Sequence, residues 1–422
     1  GQDDSTGAQG NNTAHQYKNM SAQERVKIAA ELNIPLTKEQ AANAEFYRPA
    51  DDAPEMTYLR GQRATNGGWV PNRQVDCATL DVPEIAAFAE FLKGSGEREV
   101  SSTMVMVRLL SAMLRMPELG RYVVPIVPDE ARTFGMDGLF KVAGIYSHEG
   151  QKYRPVDADS LLPYREASDG QILQEGICEV GAMASFMAAG SAYAVHGLPM
   201  IPFYIFYSMF GMQRVGDMVW GCADMMCKGF LLGGTAGRTT LNGEGLQHQD
   251  GHSHVLSSTV PSLLSYDPAF GYELAIIVRE GMRRMYVERE DIFYYLTLYN
   301  ENYPMPDMAD VLAQGALTQD QLMQGVLDGG YCFEPALTKP DIHLLASGSI
   351  MQQAIKAKAE LQELGYGVSL WSMTSYVELQ RDALAVAAAN RRSPGAKTQN
   401  SKLFHMFGDV TGAVIAVTDY MA

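Results

Sequence analysis

Four polar clusters in this sequence carry residue types able to do chemistry. In Pro128-Asp129-Glu130-Ala131-Arg132-Thr133-Phe134-Gly135-Met136, adjacent carboxylates stand beside an arginine. Such a group is either a ligand site or a helix cap with a surface ion pair. In the second cluster, Gln174 to Ala182, Glu179 heads an otherwise apolar, small-residue helix expected to be buried. An acid there is a capping carboxylate or a functional group with a shifted pKa. Burial raises a carboxyl pKa and suits it to proton exchange with a ligand ring nitrogen. The third is the aromatic run Phe203 to Phe210, most of which belongs to a core. Tyr207 and Phe210, at the strand end, are the members able to meet a ligand ring and its polar rim, or are plain packing. The fourth, Leu241 to His254, holds Glu244, His248, Asp250, His252 and His254. Its His-x3-His-x-His spacing invites a zinc reading, but Gly243, Gly245 and Gly251 favour a loop over the helix that would align the ligands. A histidine donating to substrate oxygens needs no metal.

These clusters sit in a grammar of short apolar strands and longer helices. Strands are expected at Tyr122–Val127, Ile201–Tyr207, Gly229–Leu232, Leu263–Ser265 and Ile292–Leu298. Helices are expected at Ser101–Met116, Glu179–Ala194, Met209–Met226 and Phe270–Tyr286. That alternation predicts a mostly parallel sheet covered by helices, with right-handed crossovers and ligands beyond the strands' carboxyl ends. After Pro306 a smaller α/β unit follows, with a strand at Ile342–Ala346, a turn at Gly348, a helix at Ile350–Leu364, a strand at Gly367–Trp371 and an apolar run at Gly412–Val417. The first 75 or so residues are polar, with a helix from Ser21 (capped by Ser21 and Glu24), then an extended stretch broken by Pro49, Pro54 and Pro71. A short helix is expected within Leu80–Leu92.

Composition narrows the function. The chain has 422 residues, 33 Lys+Arg against 49 Asp+Glu, and a net charge of −16, which repels nucleic acid. Hydrophobic residues at 46% supply a core and exclude wholesale disorder. Five scattered cysteines without a CxxC pair read as free thiols in a reducing compartment. The most apolar run, Leu198 to Met212, carries Pro202 and is too short to span a membrane. The opening Gly1-Gln2-Asp3-Asp4 has neither an initiator Met nor a signal peptide, and reads as the inside of a longer polypeptide.

The phrases DEARTFGM, GQILQEGICEVGA, PMIPFYIFYSMFGMQRVGD, GGTAGRTTLNGEGLQHQDGHSH and YYLTLYNENYPMP resemble the homodimeric pyruvate dehydrogenase first component, a thiamine diphosphate enzyme of the transketolase-like superfamily. The resemblance runs from about Gly10 to the TDYMA end. It implies a parallel-sheet pyrimidine-binding domain of the thiamine diphosphate-binding fold (79–308), plus a partial transketolase C-terminal-like α/β domain (309–422). Residues 1–78 would be the tail of a diphosphate-binding domain and a linker. It also implies roles. Glu179 would bond the cofactor's pyrimidine nitrogen, Phe210 would stack on its ring, and Tyr207 and His248 would face substrate. Asp129, Glu130 and Glu244 would line the same cavity. His15 would serve acetyl transfer to a lipoyl group, and the loop at Gly150–Asp159 would order over the bound intermediate. The family's GDG motif for the diphosphate and Mg2+ does not occur here, and the stretches Asp310–Pro335 and Arg391–Val410 read unlike the family. The implied activity is oxidative decarboxylation of pyruvate with reductive acetylation of the lipoyl domain of dihydrolipoamide acetyltransferase. Its site would be completed by a homodimer mate or a companion chain, in the cytoplasm or a mitochondrial matrix. The isolated chain would be inactive. Two other readings are a different 2-oxo acid dehydrogenase or transketolase-like enzyme, and a non-catalytic assembly subunit.

Overall fold

The computed structural model describes residues 12, 16–69, 75–129, 131–156, 158–159, 162–241 and 243–421. Two compact units result, divided between Gln74 and Val75.

Among its described residues, the first unit contains three helices. Ala22–Glu31 and Lys38–Ala42 each begin with a reciprocal capping box, Ser21 with Glu24 and Thr37 with Gln40. The Arg25 guanidinium ties the pair together by donating to the Ala42 carbonyl at 3.0 Å. The stretch expected to be extended around Pro54 is instead the helix Pro54–Thr65, with Pro54 in its first turn. Proline lacks only an N–H that has no partner there, so it starts a helix as readily as it breaks one.

The second unit is built on two main sheets, beside two small two-stranded pairs among the described residues. The larger has six parallel strands: β1 (Val123–Val127), β2 (Leu173–Gln174), β3 (Ile201–Tyr207), β4 (Phe230–Gly234), β5 (Leu263–Tyr266) and β6 (Phe293–Thr297), in the order β2-β1-β3-β4-β6-β5. β1, β4, β5 and β6 are buried at every position, as expected of parallel strands covered on both faces. Helix Ser102–Leu114 packs on β1 and on helix Gly271–Met282, while helix Glu179–Val195 packs on β3 and on helix Met212–Asp224. Phe203 of β3 and Phe230 of β4, paired in register, stack at 4.7 Å between centroids. The second sheet comprises β7 (Tyr331–Glu334), β8 (Ile342–Ala346), β9 (Val368–Ser372) and β10 (Ala413–Val417), in the order β7-β9-β8-β10. β7 runs antiparallel and the others parallel.

Some expected helices are divided in the structure. Met209–Met226 is a tight turn, Ser208–Phe210, followed by the helix Met212–Asp224. The backbone leaves the helical conformation at Gly211 (ψ −94°), where only glycine fits, since a Cβ would lie 2.0 Å from the Phe206 ring. Helix Glu179–Val195 is buried along one face only, through Ala182, Met183, Phe186 and Gly190, whereas Val180 and Val195 are exposed.

A buried carboxylate joins the two sheets. Glu273 accepts from the backbone N–H groups of Ala269 (2.7 Å) and Phe270 (3.0 Å), the Tyr331 hydroxyl on β7 (2.7 Å) and the Ser372 hydroxyl on β9 (2.6 Å). Burial pushes its pKa up, and these donors oppose the shift. Glu273→Ala strands four buried donors and is expected to cost about 3 kcal/mol or more in urea unfolding. A loss within about 0.5 kcal/mol, the usual range for a surface change, would refute this coupling.

Candidate active site

A cleft of about 310 Å3 opens beyond the carboxyl ends of β1, β3 and β4. The chain runs from β1 outward to β2 on one side and then to β3 on the other, so the cleft lies at the sheet's switch point. Its lining includes Asp129, Phe134, Glu179, Tyr207, Phe210, Arg214, Glu244 and His248.

Each strand end delivers one part. β1 ends at Val127 and turns through Pro128 to Asp129, whose Oδ1 lies 3.5 Å from Gln174 Nε2. The same amide lies 3.4 Å from the Tyr164 hydroxyl, whose pKa is pushed up to about 12, by burial first and then by Glu166. After β2, Gly176 adopts φ +80° and Cys178 caps the helix that Glu179 opens, its sulfur accepting from the Gly181 N–H at 3.3 Å. The buried Tyr204 of β3 donates its hydroxyl to the Glu179 carbonyl at 3.1 Å, pinning that helix start to the sheet. Burial, with the Glu179 charge beside it, drives the Tyr204 phenol pKa upward, so it stays a donor.

The Glu179 carboxylate reaches the cleft with its side chain 12% exposed, and its Oε1 accepts from Arg214 at 2.6 Å. The Arg214 guanidinium thus meets the charge of this carboxylate inside the cleft. The same guanidinium lies 4.0 Å above the Phe210 ring, so one arginine fixes both the carboxylate and the ring wall. Arg214 was absent from the sequence reading. The signal was there: it stands four residues after Phe210, one turn into the next helix.

The loop after β4 supplies the opposite wall. His248 packs edge-on to Tyr207 at 4.9 Å and tilted on Phe210 at 5.1 Å. Its Nε2 is 3.9 Å from Glu244 Oε2, while its buried Nδ1 has no hydrogen-bond partner among the described residues. Phe134 backs Tyr207 at 5.1 Å.

Asp129, Glu179, Tyr207, Phe210, Glu244 and His248 therefore share one cleft. Glu130 and His15 lie outside the described residues. The three loop histidines go separate ways: His248 lines the cleft, His252 is exposed, and His254 is buried against Thr297 Oγ1 at 3.0 Å. Burial pushes the His254 pKa down and keeps the ring neutral. Among the described residues no group of three His, Cys, Asp or Glu side chains is placed to hold a metal ion, and no helix is long and apolar enough to cross a membrane. The five cysteines are free thiols.

Known proteins resemble this chain along nearly its whole length. Residues 80–306 match the family model of the pyruvate dehydrogenase E1 component middle domain, and residues 329–422 match the transketolase-like TK C-terminal domain. The pyruvate dehydrogenase E1 component of Pseudomonas aeruginosa is 47% identical over 413 residues, covering 97% of this chain and 46% of that protein. The Escherichia coli component is 42% identical, with 98% and 46% covered. The chain thus spans under half the length of these relatives. Among solved structures, transketolase from Leishmania mexicana superposes with a TM-score of 0.58 at 13% identity, over 95% of this chain and 50% of that one. A transketolase variant from Pichia stipitis gives 0.55 at 16% identity, over 94% and 47%. At such identities these two speak to the fold alone. The middle-domain match spans more than half of the sequence, and the chain belongs to the pyruvate dehydrogenase E1 component family.

Proposed function

We propose that this chain is the pyrimidine-and-substrate side of a thiamine diphosphate-dependent pyruvate dehydrogenase E1 site. The observation that carries the reading is the convergence of Glu179, Phe210, Tyr207 and His248 on one cleft at the sheet's switch point. The cleft suits the ring end of the cofactor: the Phe210 ring, with Arg214 over one face, lines it, Glu179 sets a carboxylate there, and His248 Nδ1 is a buried polar atom without a partner among the described residues. It does not suit the diphosphate. Its described lining carries three carboxylates, Asp129, Glu179 and Glu244, against the single guanidinium of Arg214. The diphosphate and its Mg2+ would be held by a diphosphate-binding domain distinct from the sheets described here, carried by a homodimer mate or a companion chain.

When bound, thiamine diphosphate supplies the electron sink that lets a 2-oxo acid lose carbon dioxide. The residues of this chain do the rest on its side of the cleft. Glu179, held beside Arg214, would be the carboxylate that meets the pyrimidine nitrogen, with Oε1 the atom at which a proton is held or moved. Phe210 holds the ring plane, and the closeness of Arg214 keeps that plane fixed. Tyr207 and His248 donate to the carboxylate or carbonyl oxygen of pyruvate as negative charge develops. Glu244, with Oε2 3.9 Å from His248 Nε2, stands on the same wall of the cleft. Acetyl transfer would then reduce and acetylate the lipoyl group of a dihydrolipoamide acetyltransferase, with His15 serving that step and the Gly150–Asp159 loop closing over the site. The bacterial relatives and the free thiols favour a cytoplasmic setting.

Binding of thiamine diphosphate to this chain alone tests the half-site. The expected affinity is weaker than micromolar, rising when a diphosphate-binding polypeptide completes the enzyme. Micromolar binding by the chain alone would refute it. In the completed enzyme, pyruvate should outcompete 2-oxobutyrate and sugar phosphates; a preference for either would reassign the substrate.

A further inference from the structure

The loop that carries Glu244 and His248 is held by residues nearly two hundred positions away. It closes on itself where the Asp250 N–H donates to the Gly237 carbonyl at 3.2 Å. Between these points its regular structure is one short turn, Leu246–His248, so its placement depends on what grips its base.

The grip comes from Thr418–Met421, the segment that follows β10 in the second sheet. Buried Asp419 accepts three bonds: from the backbone N–H of Arg238 at 2.8 Å and of Thr239 at 3.1 Å, both on Oδ2, and from the Thr239 hydroxyl at 2.7 Å on Oδ1. Next along the chain, the Tyr420 ring stands edge-on to His254 at 4.6 Å, and the Met421 N–H donates to the Gly251 carbonyl at 2.8 Å. Thr240 Oγ1 lies 2.9 Å from Ser349 Oγ, just past β8. Both ends of the loop are therefore tied to the second sheet. Gly237 permits the close approach: it adopts φ +92°, and a Cβ would sit 3.0 Å from both Asp419 Oδ2 and the Tyr299 ring.

We propose that Asp419 is a positioning residue, through which the C-terminal α/β layer sets where His248 stands against Tyr207 and Phe210. This rests on the reading of His248 as the substrate-facing group. The hydrogen bonds of Asp419 run to Arg238 and Thr239, which are not among the cleft-lining residues, so it acts through two backbone amides and one hydroxyl. Its removal should loosen the His248 wall while leaving the Glu179–Arg214–Phe210 wall, which is built from other elements, as it was. Substrate affinity and cofactor affinity then respond differently.

The test combines amide hydrogen exchange on this chain with kinetics of the completed enzyme. In Asp419→Ala, exchange at Arg238, Thr239 and residues 243–249 should rise about tenfold or more, with helix Glu179–Val195 unchanged. The KM for pyruvate should rise about tenfold or more, while thiamine diphosphate affinity stays within about twofold. Asp419→Asn should restore most of both, because its amide oxygen can still accept the two backbone N–H groups and its NH2 can donate to Thr239 Oγ1. Should Asp419→Ala fail to fold, Thr239→Val removes one of the three bonds and should shift both readouts in the same direction by less. Unchanged loop exchange overturns the proposal, as does raised exchange with an unaltered pyruvate KM. A parent enzyme without pyruvate turnover sinks the functional reading instead, because the exchange contrast supports the clamp by itself.

Discussion

Glu179→Gln is expected to leave the fold intact and to slow deprotonation of the bound cofactor by about two to four orders of magnitude, the range a positioned acid–base group contributes. Glutamine keeps the length and shape of the side chain, so the backbone contact from Tyr204 to the Glu179 carbonyl survives. What it loses is the charge that answers Arg214 at 2.6 Å and the oxygen that carries a proton. Arg214 retains its seat over Phe210, so the ring wall should persist and cofactor affinity in the completed enzyme should fall far less than activation. Following deuterium exchange of the cofactor's acidic carbon–hydrogen bond checks this directly. Exchange within about tenfold of the parent, below the range for acid–base groups, would remove Glu179 from the mechanism.

His248→Ala has the second largest expected effect, a fall of about a hundred- to a thousandfold in kcat/KM for pyruvate, as for loss of one donor to a developing oxyanion. The imidazole leans on Tyr207 and Phe210, and deleting it also removes two ring contacts worth roughly 0.5–1.5 kcal/mol each. Stability should therefore drop slightly, and steady-state kinetics need to be read at a temperature where the variant is folded. Activation of the cofactor through Glu179 should be nearly untouched, which separates this variant from the first. Equal losses in both assays would mean that His248 supports the cleft as a whole and has no separate role toward substrate.

Much of the fold was legible because parallel strands buried on both faces announce themselves as apolar runs. Ile201–Tyr207 and Ile342–Ala346 have the same limits in the sequence reading and in the structure. What did not show in the sequence was set by distant partners. β2 is only two residues long and exists because Leu173 and Gln174 meet Ile126 and Val127. The helix Tyr376–Arg392 was missed, its apolar positions being diluted by the alanines and charges of its exposed side. Pro54 was taken for a breaker where it opens a helix.

The candidate site divides in the same way. Glu179, Tyr207, Phe210 and His248 stood out as polar or aromatic groups at strand ends, which is a local property. Arg214 did not, because an arginine in an amphipathic helix looks like any solvated charge until its partner, 35 residues earlier, is known. Asp419 is the extreme case, a carboxylate whose three donors lie about 180 residues before it. His254 reads as a loop histidine beside His248 and is in fact core, neutral and bonded to Thr297.

Release of carbon dioxide from carboxyl-labelled pyruvate tests the central claim most directly. The assay compares this chain alone with the chain completed by a diphosphate-binding polypeptide, both with thiamine diphosphate and Mg2+ present. The account predicts no turnover from the chain alone, turnover on completion, and loss of that turnover in Glu179→Gln. Turnover by the chain alone, or a completed enzyme that binds cofactor yet releases no carbon dioxide, would contradict it.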